Sequence, residues 1–190
     1  MVIDQKIQQW RRLLEQTDEA YIAEKNPEEP SVPYRVYGEP LKPPIQVPIW
    51  NSNETVPASP MLESWFSPAN GWSEYTLGRR ALSIAEMENP LIGSDFYLTP
   101  QFDDGSSRHR FVAELIQEEI PQAVQYLEDE PSYLSLKNPK VAIFSLPLLS
   151  SVVGAELLVF SPELVEPIVF LNDFEAKDLE AMLDEFIGSE

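Results

Sequence analysis

The sequence predicts an α+β fold: one domain with a mainly antiparallel sheet, an amphipathic helix near each end and a proline-rich extended belt. Three observations lead there. Apolar residues recur at helical spacing over residues 1–25 and again after residue 173. Ten of the eighteen prolines fall between Pro27 and Pro68. The last third carries short runs of Val, Ile, Leu and Phe broken by Pro147, Gly154, Pro162 and Pro167, which read as strands. A length of 190 residues fits one domain, divided here into a helix over 1–25, an extended segment over 27–68 and a main body over 69–190. Nine Phe, seven Tyr and four Trp supply enough large rings to bury a core.

The first helix is read from Ile3, Ile7, Trp10, Leu14, Thr17 and Tyr21, spaced by threes and fours on one stripe, with Asn26-Pro27 as its stop. Docking on its own domain is the ordinary use of such a stripe. Between Pro27 and Pro68 the prolines argue against helix and against a central strand, because each lacks the amide a ladder needs. Tyr34, Val36, Tyr37, Ile45, Val47, Ile49 and Trp50 are too apolar for a free linker, so the segment reads as a belt with edge strands near Tyr34–Tyr37 and Ile45–Trp50. Pro40-Leu41-Lys42-Pro43 matches PxxP, a short and nonspecific pattern.

Asn70-Gly71 favours a tight reversal, and a hairpin with Trp65 and Phe66 on one arm and Trp72 and Tyr75 on the other is expected. Ser94–Phe102 reads as a further strand, followed by a turn at Asp103-Asp104-Gly105. Phe111, Val112, Leu115, Ile116, Val124 and Leu127 are in helical phase, with Pro121 either opening a second helix or kinking one. Val141–Leu146, Glu156–Phe160 and Ile168–Leu171 are the clearest strands. A last helix capped by Asn172 or Asp173 buries Leu179, Met182, Leu183 and Phe186, with Gly188 at its end.

Charge is the largest departure from an ordinary chain. Thirteen Lys and Arg face thirty-two Asp and Glu, a net charge of −19. Residues 1–95 hold eight basic and fourteen acidic side chains, and residues 96–190 hold five and eighteen. Such a field repels phosphate backbones and anionic lipid surfaces, so nucleic acid and membrane are not expected as partners. It suits a basic protein partner, or it only keeps the chain in solution. Cysteine is absent, which removes disulfides, thiolate nucleophiles and thiolate metal sites. The N-terminal residues show neither the basic region nor the apolar run of a secretory signal, and no apolar stretch is long enough to span a bilayer. The cytoplasm is the expected compartment.

Common catalytic patterns leave little trace. His109 is the sole histidine, too few for a histidine metal site, and it sits between Arg108 and Arg110. Ser106 and Ser107 adjoin it, but no GxSxG elbow is present. Neither GxGxxG nor GxxxxGK[ST] occurs, so no nucleotide cofactor is expected. Asp103-Asp104-Gly105 lacks the alternating ligands of a calcium loop. Glu114, Glu118 and Glu119, and the run Glu128-Asp129-Glu130, read as solvated faces in a chain this rich in acids.

Two features retain a functional reading. Arg79, Arg80, Arg108 and Arg110 are candidates for holding an anion, against the ordinary reading that they pair with the chain's own acids. Trp65, Phe66, Trp72 and Tyr75 are candidates for a partner-facing patch, against the ordinary reading that they build the core. The preferred function is non-enzymatic: a cytosolic protein-binding or assembly accessory protein using an acidic surface and an aromatic patch. The alternatives are an acidic inhibitor of a basic enzyme, such as an immunity protein or nucleic-acid mimic, and an enzyme using carboxylates or arginines on a small molecule. The first alternative needs acids gathered on one face, the second a pocket with convergent polar groups.

Overall fold

The computed structural model describes residues 3–24, 38–76, 79–92, 112–129, 136–147, 154–170 and 176–188, with the side chains of 17–24, 74–76, 128–129 and 176 outside that description. Its centre is a six-stranded sheet in which every neighbouring pair is antiparallel and the strands follow chain order. The strands are β3 (Trp72–Thr76), β4 (Arg79–Ala81), β5 (Lys140–Pro147), β6 (Glu156–Phe160), β7 (Ile168–Phe170) and β8 (Ala176–Asp178). A separate hairpin pairs β1 (Gln46–Pro48) with β2 (Thr55–Pro57). The expected α+β class with a mainly antiparallel sheet is therefore the architecture observed.

Strand β5 shows why the C-terminal third is legible. Val141 through Pro147 are all buried, so both faces are covered and the sequence reads as a nearly unbroken apolar run rather than an alternation. It pairs with β6 through Val141↔Val159 and Ile143↔Leu157, and β6 with β7 through Leu158↔Val169. Phe144 is fully enclosed and lies 5.3 Å from the ring of Trp65. Trp65 in turn stacks on Trp72, with ring centroids 4.8 Å apart.

The helices close the core. Helix α1 (Ile3–Glu24) buries Ile7, Trp10 and Leu14 as their spacing requires, and Trp10 lies 5.2 Å from Phe186 of the last helix, α5 (Leu179–Gly188). Lys6 is enclosed with them, its ammonium 2.6 Å from Asp184 and 2.7 Å from Glu180. Helix α5 buries Leu179, Met182 and Leu183, while Phe186 is half-buried. Its cap is Asp178, which accepts the Ala181 amide at 2.6 Å, and not the expected Asn172 or Asp173. The short strand β8 intervenes and shifts the helix start, because Ala176–Asp178 adds an edge to β7.

Two further expectations are corrected. The proline belt contains a helix, α2 (Pro60–Phe66): Pro60 stands in its first turn, where a missing amide costs nothing, and Ser59 caps it by accepting the Leu62 amide. The reversal at Asn70-Gly71 consequently joins this helix to β3 instead of joining two strands. Gly71 has φ +97°, the left-handed region that Asn-Gly favours. Against this turn runs the belt itself. The Gly38 amide donates to the Gly71 carbonyl at 2.9 Å, and a Cβ on Gly38 would stand 2.0 Å from the Asn70 carbonyl oxygen.

Pro121 stands in the first turn of a helix that begins at Ile120, as the first of the two expectations has it, but no break in helical structure precedes it. Residues 112–114 are helical and a π turn follows over Leu115–Glu119, in which the Ile120 amide reaches back five residues to the Leu115 carbonyl. Helix α4 (Ile120–Asp129) continues from it. The wider turn falls immediately before the proline, where regular α pairing is unavailable. The expected strands Tyr34–Tyr37 and Ser94–Phe102 and the turn at Asp103-Asp104-Gly105 lie outside the described residues, as do Ser106, Ser107 and His109. Among the described residues no helix is long and apolar enough to cross a membrane.

Candidate functional site

The arginine and aromatic candidates lead into the core. Arg80, on β4, is 5% exposed and holds Glu86 of α3 (Ile84–Glu88) through two parallel bonds, Nε to Oε1 at 2.8 Å and an Nη to Oε2 at 3.0 Å. Glu86 also closes a capping box: its carboxylate accepts the Ser83 amide at 2.8 Å while the Ser83 hydroxyl accepts the Glu86 amide. Arg79 places Nε 3.3 Å from Glu156 and donates to the Gly154 carbonyl at 3.0 Å. Glu156 takes the Ser145 hydroxyl on its other oxygen. Both forks thus face acceptors of their own chain, which is the ordinary reading of an arginine pair in an acidic protein. Arg108 and Arg110 lie outside the described residues.

Trp65, Phe66 and Trp72 have essentially no exposed surface. As core rings they offer no face to a partner, which corrects the expected aromatic patch at these three positions. The cause is α2: a helix puts Leu62, Trp65 and Phe66 on its inner side, where a hairpin arm would have turned Trp65 and Phe66 to opposite faces. Tyr75 belongs to β3, with its side chain outside the description.

Among the described residues, two surface grooves are open. One, of about 600 Å³, runs between α1 and α2 and is lined by Asp4, Gln8, Glu63 and Ser64, with Pro43 and Pro60. The other, of about 370 Å³, lies between the β1–β2 turn and the carboxyl end of α3, lined by Ile49, Trp50, Asn51, Asn53, Met87 and Glu88.

Both walls of the second groove are fixed. In the turn, the Ile49 amide donates to the Glu54 carbonyl at 3.0 Å, Asn51 takes φ +54°, and the Trp50 amide donates to the Val141 carbonyl at 2.7 Å. Lys140 ties the same turn to β5 through Glu54, and that ammonium holds the Glu54 carboxyl below its ordinary value of 4.5. The facing wall, α3, is held by the Arg80–Glu86 pair and by Asn70, whose side-chain oxygen accepts the Ile84 amide at 2.9 Å. Trp50 is half-buried, Met87 is buried, and Glu88, Asn51 and Asn53 are exposed.

No protein-family model, curated protein or solved structure matches this chain. Among the described residues no three His, Cys, Asp or Glu side chains converge as a metal-binding set. The groove at Trp50 is not legible in the sequence, because Trp50 sits in a belt of other apolar residues. The available signal was an aromatic followed by Asn51-Ser52-Asn53, a run of turn formers that brings a ring to the surface.

Proposed function

We propose that the chain is a non-enzymatic, cytoplasmic protein-binding accessory protein whose acidic surface draws in a basic protein partner. One observation supports this reading: seven of the thirteen basic side chains pair with acids of the same chain, while acidic side chains in excess stand on the surface. Lys6, Arg11, Arg79, Arg80, Lys137, Lys140 and Lys177 each lie within ion-pair distance of a carboxylate of the same chain. Glu39, Glu88 and Glu118 stand exposed, and the net charge is −19. A surface of this kind accelerates encounter with a cationic protein through its long-range field.

The test is capture from lysate on the immobilised chain at low salt, followed by association kinetics with the purified partner. A basic protein is expected, with an association rate that falls about ten-fold or more between roughly 50 and 500 mM salt. A partner whose association ignores salt refutes the reading, as does tight binding to nucleic acid.

A further inference from the structure

We propose that the groove between the β1–β2 turn and the carboxyl end of α3 takes one arginine side chain of the basic partner, with an apolar neighbour of that arginine resting on Leu91 and Ile92. The inference rests on the acidic-surface reading and gives it an anchor point. Its first support is the make-up of the lining: a half-buried tryptophan, two asparagines and an exposed carboxylate, Glu88, with no basic side chain. A guanidinium is planar and weakly hydrated, stacks on an indole face and still donates hydrogen bonds from its rim, so this combination suits it better than an ammonium.

The second support is independent of the groove. Among the described residues the exposed large apolar side chains are Leu91, Ile92 and Val165, and the first two follow Glu88 by three and four positions. Ile92 is 61% exposed, and its amide is bonded to the Asn89 carbonyl at 3.1 Å in the turn that follows α3. At about 370 Å³ the groove is at the small end for a ligand pocket and has room for one long side chain. Its rigid walls mean that little ordering is required on binding.

The experiment is a nuclear magnetic resonance titration of the full chain with blocked dipeptides: arginyl-leucine, its neutral citrulline counterpart and lysyl-leucine. The Trp50 indole N–H and the amides of Asn51, Asn53 and Glu88 are expected to shift saturably with the arginine peptide and not with the citrulline one. Glu88→Gln, at an exposed position that leaves the fold intact, should weaken the arginine peptide about three-fold or more. Ile92→Ser should weaken it further, and Trp50→Leu should remove the preference over lysine. No saturable shift at Trp50, an equal response to citrulline, or unchanged affinity in Glu88→Gln overturns the assignment. The two readings fail separately. A salt-sensitive basic partner that binds Glu88→Gln and Ile92→Ser as well as wild type overturns the groove and leaves the acidic surface standing. Arginine binding at the groove with no salt-sensitive partner supports the groove and removes the acidic-surface reading.

Discussion

Replacing Arg80 by methionine isolates the internal pairing of charge that leaves the surface acidic. Arg80 and Glu86 are 5% and 3% exposed and share two bonds of 2.8 and 3.0 Å. Methionine keeps much of the apolar stem but leaves the Glu86 carboxylate enclosed and unpaired. Breaking a buried pair in this way costs about 3–5 kcal/mol. For a chain of this size each kcal/mol moves Tm by roughly 2–4 °C, so Arg80→Met should melt about 6–20 °C lower. The double variant Arg80→Met/Glu86→Gln removes both charges, and the glutamine still serves the Ser83 cap. It should recover to within about 1–2 kcal/mol of wild type, since a buried pair contributes little net stability over an uncharged replacement. Urea unfolding followed by tryptophan fluorescence and far-ultraviolet circular dichroism measures all three proteins. A loss below about 1 kcal/mol in the single variant, or a double variant as unstable as the single, refutes the reasoning.

Phe144→Ala removes a fully buried ring at the middle of β5 and its contact with Trp65, so a loss of about 3–5 kcal/mol is expected in the same urea assay. Lys6 gives a pH dependence. Its hydrogen bond to Asp184, then that to Glu180, raises the ammonium above its ordinary value of 10.5. The pair's contribution to stability is therefore complete below pH 10.5 and is lost as pH climbs through the raised folded value. Melting curves from about pH 9 to 12 should fall more steeply for wild type than for Lys6→Met; parallel curves would show that the pair adds no stability.

The parts of the fold that were legible are those where periodicity and burial coincide. Ile7, Trp10 and Leu14 share a helical stripe and all are buried, and β5 to β7 are apolar because neighbours cover them. Proline counting misled where position mattered more than number: Pro60 is harmless at a helix start, and Pro121 is absorbed by a π turn. Strand β8 escaped notice because Ala176-Lys177-Asp178 has no apolar run, and its existence depends on the edge that β7 presents. At the candidate site, residue type alone could not separate a ring in the core from a ring at the surface. Trp65 and Trp50 look alike in the sequence, and they differ because one lies on the inner side of a helix and the other in a turn.

The clasp between α1 and α5 also has a consequence in time. Lys6 meets Asp184 across a sequence separation of 178, so the stripe of Ile7, Trp10 and Leu14 is made long before the helix that covers it. At roughly 5–20 residues per second, synthesis of that interval takes about 10–35 seconds. Throughout it the stripe lacks the cover of α5, although α2 is available once residues 60–66 have emerged. The growing chain thus carries an uncovered Trp10, and α5 is the piece that shelters it.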